Sequence, residues 1–246
     1  MTLDDLTGKI INDDCLNVLK DIPDNSIDLI CTDCPYHIVS GGCTNIPRKD
    51  EPSGIFNRRL AWNAENAKTG KLFSHNDIEF EEWLPELYRV LKNQSHCYIM
   101  INARNLAELQ NKAEKVGFVF QQLLVWNKGN ATPNRYYLNA CEFILMLRKG
   151  SARNINNMGT KNILSVPNII GNKCHPTEKP VELMEVLIAN STNENDIVLE
   201  PFAGGGSTCI AARNLKRRFI GIEIDEQYAK VANERLEQAQ RQQMLF

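Results

Sequence analysis

The segment Asp33-Cys34-Pro35-Tyr36 combines residue types that could bind and activate an amino group. It follows the apolar run 27–32, which predicts a buried strand that ends at Asp33. Cys34 precedes a proline, and this favours an extended backbone that could hold the Cys34 carbonyl beside the Asp33 carboxylate. Two such acceptors can hold an exocyclic amino group while the Tyr36 ring stacks on the attached base.

A second segment, Phe202-Ala203-Gly204-Gly205-Gly206, predicts a turn that binds a nucleotide cofactor. Glycines let the backbone approach a ligand closely, and the helix predicted to follow presents unpaired N–H groups at its first turn. Glu223 lies about 20 residues further on, the spacing at which an acidic side chain reaches a pair of ribose hydroxyls. The absence of Gly-Lys-Ser/Thr after the turn excludes a P-loop. A dinucleotide and S-adenosylmethionine remain, and the short downstream tail disfavours the dinucleotide.

The elements that must position these segments alternate between strands and helices. Seven strands are predicted, at 9–12, 27–32, 96–102, 118–126, 142–148, 196–200 and 218–224. Helical spacing of apolar residues predicts helices at 79–91, 105–116, 180–189, 207–214 and 226–240. This alternation predicts an α/β fold with a doubly wound, mostly parallel seven-stranded sheet. No helix separates the strands at 118–126 and 142–148, so that pair is expected to be antiparallel.

The order of the two segments predicts a permuted domain. A cofactor turn normally opens its domain, but only 40 residues follow Gly206. Because this is too little chain to complete a sheet, the remaining strands must lie upstream. We therefore expect one catalytic domain over residues 1–246, with inserted loops at 38–75 and 128–173.

Composition is that of an ordinary globular protein of 246 residues, with 43% hydrophobic and 24% charged residues. No apolar run is long enough to cross a bilayer, and the first residues do not form a signal peptide. Eight cysteines without a repeated framework favour a reducing cytoplasm. The net charge of −2 is unevenly distributed along the chain, because residues 128–173 contain seven Lys and Arg and only one acidic residue, Glu142. Such a segment suits a phosphate-facing surface, although solvated loops would have the same charge.

Together the motifs resemble those of the amino-methyltransferases of DNA, whose acceptor motif is Asp/Asn/Ser-Pro-Pro-Tyr/Phe/Trp. Residues 12–16 and 23–28 are similar to the stretch that leads into that motif, and 175–180 to the segment before the cofactor turn. An acceptor motif first and a cofactor motif last is the order of the family's β group. One departure is Cys34, which stands where the family usually has proline, so that a fixed φ is lost and an N–H donor is gained.

The resemblance implies that the sheet is of the S-adenosylmethionine-dependent methyltransferase type. It also implies transfer of a methyl group from S-adenosylmethionine to a base flipped out of double-stranded DNA. Asp33 favours the N6 amine of adenine, since N4-cytosine enzymes usually have serine there. An N4-cytosine or RNA methyltransferase, or a catalytically silent DNA-binding relative because of Cys34, remain as alternatives. The resemblance also implies a bacterial or phage-encoded cytoplasmic protein, with or without a partner restriction enzyme.

Site residues follow from the same resemblance. Asp33 and the carbonyl of Cys34, ahead of Pro35, would accept hydrogen bonds from the target amine, and Tyr36 would stack on the base. Asp14 and Cys15 would contact the cofactor adenine, and Glu223 would hold the ribose. The residues expected around the methionine end are Thr177, Lys179, Phe202, Ala203, Gly204 and Gly206.

The two basic loops are candidates for binding DNA. Residues 38–75 could form a lid over the flipped base, and the asparagine-rich segment 128–173 is the expected target-recognition region, since asparagine suits adenine edges. Tyr136-Tyr137 fits either DNA contact or packing. The lack of a large separate recognition domain suggests a short target site or a second subunit, as in a homodimer. The pair Cys31-x-x-Cys34 is typical of zinc or redox sites, but Cys31 lies within an apolar strand, so no metal is expected.

Overall fold

A computed structural model of the chain describes residues 2–35, 78–132, 136–171, 174, 175 and 177–243. Tyr36 and the predicted lid at 38–75 lie outside these residues. The helices are α1 (Leu3–Leu6), α2 (Cys15–Asp21), α3 (Phe80–Val90), α4 (Leu106–Val116), α5 (Val181–Ser191), α6 (Ser207–Asn214) and α7 (Glu226–Gln243). The strands are β1 (Ile10–Asn12), β2 (Ile27–Asp33), β3 (Leu91–Ile101), β4 (Val119–Thr132), β5 (Asn139–Arg148), β6 (Ile163–Ser165), β7 (Ile197–Glu200) and β8 (Arg218–Glu223).

The strands form one sheet in the order β1-β8-β7-β2-β3-β5-β4-β6. Most neighbouring pairs are parallel, and β5 is antiparallel to both β3 and β4. The predicted mostly parallel sheet and the predicted antiparallel pair are therefore confirmed. The predicted number of seven strands is wrong, because β6 adds an eighth beside β4. Only three residues long, β6 is too short for an apolar period to mark it within a polar stretch.

The sheet shows the predicted permutation directly. Strand β1, from the start of the chain, pairs with β8 near its end, with Asn12 opposite Glu223. Strand β2 lies between β7 and β3, so the strand that ends at Asp33 neighbours the strand that leads into the cofactor turn. Ligands of open parallel sheets bind beyond the carboxyl ends of the strands, near the point where the strand order reverses. Asp33 and the glycine turn both lie at that edge.

Helices cover the sheet in two groups, as the continuous apolar runs predict. Successive strand residues point to opposite faces, yet Leu29 and Ile30 are both fully buried. Helices α2, α3 and α4 contact one another in one group, and α5, α6 and α7 in the other. Trp83 and Trp126 lie in the core as predicted, at 0% and 1% exposure. The elements named here belong to one compact unit, made of Met1–Cys34 and Phe80–Phe246.

The strand register shows that parts of the basic segment 128–173 lie at opposite edges of the sheet. One part lies at the carboxyl ends of the parallel strands, and another lies at their amino ends. Ile144 is level with Asp33, since both are opposite Met100. The hairpin that joins β4 to β5 therefore extends past Asp33 at the carboxyl edge. The chain after β5 leaves from Arg148, which is opposite His96 and level with Leu29. Residues 150–162 consequently lie at the opposite edge, away from Asp33.

Candidate active site

The acceptor aspartate and a predicted cofactor residue contact each other directly. Asp33 ends β2, and its side chain is 23% exposed. The Lys179 ammonium donates a hydrogen bond to Asp33 Oδ2 and another, at 3.2 Å, to the Thr177 carbonyl. Burial raises the pKa of Asp33, and the adjacent ammonium opposes this by favouring the carboxylate. Asp33 is thus an anchored acceptor next to a buried cation.

Two further charged residues complete this site, and sequence analysis did not assign them a role. Glu142 on β5 lies 3.5 Å from the Lys179 ammonium and 3.2 Å from the ammonium of Lys128 on β4. Burial raises the pKa of Glu142, but the two lysines outweigh it and hold the pKa below its ordinary value. The only signal in the sequence was that Glu142 is the single acid among many basic residues.

Cys34 is 2% exposed, and its Sγ lies 3.6 Å from the Met100 carbonyl oxygen on the neighbouring strand. Burial raises the pKa of this thiol well above its usual value, so the thiol is protonated and can donate to that carbonyl. Cys34 therefore packs as a small buried side chain and has none of the character of a nucleophile. Pro35 follows it, and Tyr36 lies outside the described residues.

No group of three or more His, Cys, Asp or Glu side chains in the described part of the chain is arranged to hold a metal ion. Cys31, the other member of the Cys-x-x-Cys pair, is fully buried within β2.

Among the described residues, no helix is long and apolar enough to span a membrane.

The cofactor turn has the backbone that its glycines were expected to allow. Gly204 and Gly206 have φ values of +49° and +79°, which disfavour residues with a Cβ. A Cβ on Gly206 would lie 3.0 Å from Ile10 Cδ1 and 3.1 Å from Ala232 Cβ, so close packing as well as φ requires glycine there. Gly206 is also the N-cap of α6.

Glu223 ties this turn to the end of β8. Its Oε2 accepts a 2.7 Å hydrogen bond from the Gly204 N–H, and its Oε1 accepts one of 2.9 Å from the Asp225 N–H. Asp14 lies at the adjacent strand end, after β1, and caps α2 by accepting from the Leu16 N–H. Cys15 begins that helix and is buried. The predicted adenine and ribose contacts therefore come from neighbouring strands.

The remaining predicted cofactor residues surround the same turn. Phe202 packs edge-on against Trp83 at 5.4 Å between ring centroids, and Ala203 is buried and donates to the Ile222 carbonyl. The Thr177 hydroxyl lies 3.1 Å from His175 Nδ1. Burial lowers the pKa of His175 to about 4, so this ring is neutral at physiological pH.

These residues fit an adenosine cofactor such as S-adenosylmethionine. The hydroxyl of Ser207, the first residue of α6, is buried without a hydrogen-bond partner among the described residues. Buried polar groups are normally paired, so an unpaired hydroxyl next to a glycine turn suits a bound ligand. A carboxylate for the ribose and a turn without side chains complete the requirements. The lack of a phosphate-binding lysine in the turn is consistent with a cofactor that has no phosphate.

Glu200 connects the two halves of the site at the ends of β2 and β7. Its carboxyl group accepts hydrogen bonds from the hydroxyls of Thr32 at 2.5 Å and Thr208 at 2.8 Å, and from the Phe202 N–H at 3.1 Å. Burial raises the pKa of Glu200 from 4.5 to about 8 despite these donors. Glu200 is therefore largely protonated in the folded protein at neutral pH.

Glu200→Gln should change how stability depends on pH. Between the unfolded pKa near 4.5 and the folded pKa of about 8, only the unfolded chain ionises Glu200. Folding then takes up a proton, so the free energy of unfolding falls as pH rises through this window. The glutamine variant cannot ionise and should lack this contribution to the decline. Urea titrations at pH 5, 6, 7 and 8 measure it, and parallel curves for the two proteins would contradict the assignment.

Comparisons with known proteins agree with this geometry. The DNA methylase family model matches residues 27–167 and 155–234. The chain is 30% identical to the type II methyltransferase M.HinfI of Haemophilus influenzae, over 95% of this chain and 69% of that protein. The crystal structure of the M1.HpyAVI-SAM complex is 27% identical, with a TM-score of 0.66 over 92% of this chain and 98% of that one. The PvuII DNA methyltransferase (cytosine-N4-specific) is 16% identical, with a TM-score of 0.69 over 95% and 91%, and shares the fold.

A permuted sheet with Asp33 and a glycine turn at one edge, together with the likeness to the M1.HpyAVI-SAM complex, defines an S-adenosylmethionine-dependent methyltransferase. Within that class, the chain belongs to the N6/N4 DNA methylase family. The predicted family, fold class and cofactor are thereby confirmed.

Proposed function

We propose that this protein methylates the N6 amine of a specific adenine in double-stranded DNA. The observation that carries the proposal is the Asp33 carboxylate, which lies at the edge that also holds the cofactor turn and is anchored by Lys179. Lys179 contacts Oδ2, and we assign Oδ1 to the target amine. The Cys34 carbonyl is the second acceptor, and the buried thiol of Cys34 helps to hold that residue against β3.

For this reaction, the main task of the chain is to position the amine relative to the methyl donor. An adenine amine is a poor nucleophile because its lone pair is delocalised into the ring. Two acceptors that draw its hydrogens out of the ring plane free that lone pair, and a fixed geometry supplies much of the rate. S-adenosylmethionine supplies an electrophilic methyl group. After methyl transfer the amine nitrogen carries an extra proton. The Asp33 carboxylate can accept this proton and pass it to solvent. The target atom is unreachable in a duplex, so the base must be flipped out.

Product analysis tests the choice of base. The purified protein is incubated with S-adenosylmethionine and unmethylated genomic DNA, and the digested nucleosides are identified by mass spectrometry. N6-methyladenine is the expected product. N4-methylcytosine would overturn the choice of adenine, an outcome made relevant by the shared fold with a cytosine-N4-specific enzyme. Methylation of RNA alone would overturn the DNA substrate, and cofactor binding without any product would indicate a silent relative.

We further propose that the hairpin between β4 and β5 contacts the DNA around the target base. Five residues of β5 lie between the level of Asp33 and the start of the strand at Asn139. At about 3.4 Å per residue, the hairpin extends roughly 17 Å past the acceptor. Tyr136 and Tyr137, shortly before β5, are 80% and 91% exposed, which does not support the packing alternative. A homodimer would place two such hairpins on one duplex.

Two of the asparagines at the opposite edge, Asn156 and Asn157, form hydrogen bonds within the fold. The Asn156 side chain donates to the carbonyls of Ala189 and Thr192, both at 2.8 Å, at the C-terminal end of α5. Asn157 accepts from the Gly159 N–H at 3.0 Å. Within the predicted target-recognition segment 128–173, we therefore propose the hairpin, and not residues 150–162, for recognition.

Tyr137→Ala should weaken DNA binding without affecting the fold. Loss of a side chain that stacks on a base costs about 1–3 kcal/mol, so the KM for DNA should rise about tenfold. The melting temperature should stay nearly constant because Tyr137 is almost fully exposed. Met158→Ala is the matched control, since Met158 is 74% exposed but lies at the opposite edge. Equal KM values for the two variants would contradict a role of the hairpin. Steady-state kinetics on a duplex oligonucleotide measure both.

A further inference from the structure

We propose that Glu142 is a positioning residue for methyl transfer, which holds the Lys179 ammonium between two carboxylates and so keeps Asp33 available to the target amine. The proposal rests on the proposed function in one respect, namely that Asp33 accepts hydrogen bonds from the amine. It does not depend on whether the target base is adenine or cytosine.

The geometry is an alternating row of four charges from four parts of the chain. Lys179, before α5, donates to Asp33 Oδ2 on β2, and its ammonium lies 3.5 Å from Glu142 Oε2 on β5. The other oxygen of Glu142, Oε1, accepts from Lys128 on β4 at 3.2 Å. The two lysines are only 8% and 9% exposed. Two negative and two positive charges therefore compensate one another in a poorly solvated place.

The position of Lys179 creates a competition at Asp33. The ammonium and the target amine both donate to the same carboxylate, and the ammonium is the stronger donor because it is charged. Glu142 attracts the ammonium from the other side and limits how closely it associates with Asp33. Without the charge of Glu142, Asp33 would compensate more of the charge of the buried Lys179 ammonium, and its capacity to polarise the amine would fall.

A purely structural role explains this arrangement less well. The Glu142 side chain is 34% exposed, so its carboxylate keeps partial contact with solvent while the two lysines that it contacts are buried. Its two oxygens are divided between two lysines, which fixes the orientation of the carboxylate. An orientation fixed in this way is what a positioning role requires.

The charges around Asp33 determine in which direction Glu142→Gln should shift the pKa of Asp33. Among the residues that the structure describes, the titratable groups near Asp33 are Lys179, Glu142, the protonated Cys34 thiol, and Glu200, whose carboxyl is hydrogen-bonded to Thr32. The negative charge of Glu142 raises the pKa of Asp33, and the Lys179 ammonium lowers it. Glu142→Gln should therefore lower the pKa of Asp33 and shift the acid limb of the kcat profile towards lower pH.

A double-mutant cycle tests the proposal. Glu142→Gln and Lys179→Met are made singly and together, and kcat is measured at saturating cofactor and duplex DNA. Because a hydrogen bond to a charged group is affected, Glu142→Gln should lower kcat about tenfold in the native background. In the Lys179→Met background the same change should alter kcat by less than about twofold, since Glu142 acts through Lys179. An equal loss in both backgrounds, or a loss confined to the KM for DNA, would overturn the proposal.

A second measurement does not need turnover. Carboxyl-¹³C NMR titration of Asp33, assigned with Asp33→Asn, should give a lower midpoint in Glu142→Gln than in the native protein, and an unchanged midpoint would overturn the proposal. Failure of the proposed function would instead appear in the products of the native protein. If Glu142→Gln does not fold, Glu142→Asp keeps the charge but shortens the reach to the Lys179 ammonium, and it should lower kcat in the same Lys179-dependent way. Loss of activity that is independent of Lys179 in that series would also count against it.

Discussion

Asp33→Asn should lower kcat about 10²–10³-fold, the loss typical of removing one preorganised electrostatic contact to a reacting group. Asparagine keeps the shape of the side chain but replaces one acceptor oxygen by an N–H donor and removes the charge. The amine would then meet one weak acceptor where it now meets a carboxylate. Lys179 keeps Glu142 as a counter-charge at 3.5 Å, so the fold should tolerate the change. The affinity for S-adenosylmethionine should change by less than about twofold.

Asp28→Asn is the matched control for this experiment. Asp28 lies on the same strand, its side chain is 16% exposed, and it pairs with Lys92 at 2.6 Å and accepts from the Ile197 N–H. It lies at the amino end of β2, away from the cofactor turn. We expect Asp28→Asn to cost stability but not kcat. Single-turnover methylation and calorimetric titration with cofactor measure both variants. Similar kcat values for the two would show that Asp33 has no special role in the chemistry.

The fold was predictable where apolar runs are long. Strands β3 and β5 carry continuous buried residues, and the pairing of β5 with β4 follows from the short connection between them. Strand β4 extends to Thr132 although its apolar pattern ends at Trp126, because pairing with β5 continues through the polar residues. The helix α2 was not predicted, since its seven residues contain too few apolar positions to show a period. The existence and the bounds of the short and polar elements therefore depend on tertiary contacts, which a sequence pattern does not show.

The site residues that could be predicted from the sequence are those that follow a recognisable strand. Asp33, Glu223 and the glycine turn each follow a recognisable apolar run, and all lie at the expected edge. The contact between Lys179 and Asp33 spans 146 residues of sequence, and no local pattern indicates it. The pairing of Glu142 with two lysines depends on β5 being antiparallel beside β4, so it required the sheet order as well as the motifs.

Glu223→Gln should raise the Kd for S-adenosylmethionine about 10–100-fold, because hydrogen bonds to a charged acceptor contribute about 1.5–3 kcal/mol. In the described structure both carboxylate oxygens already accept from backbone N–H groups, of Gly204 and Asp225. The carboxylate is therefore held in place by the turn itself. Glutamine would present an N–H group to one of these donors, which should also shift the turn.

Two effects of this substitution must be separated, since a displaced turn and a lost ribose contact both weaken binding. Calorimetry with a 2′,3′-dideoxy analogue of S-adenosylmethionine distinguishes them, because the analogue lacks the hydroxyls that Glu223 is expected to hold. If Glu223 binds the ribose, Glu223→Gln should lose clearly less affinity for the analogue than for S-adenosylmethionine, and the loss that remains measures the shift of the turn. An equally large loss for the analogue would assign the effect to the turn. Glu226→Gln, an exposed change at the start of α7, should leave both affinities unaltered.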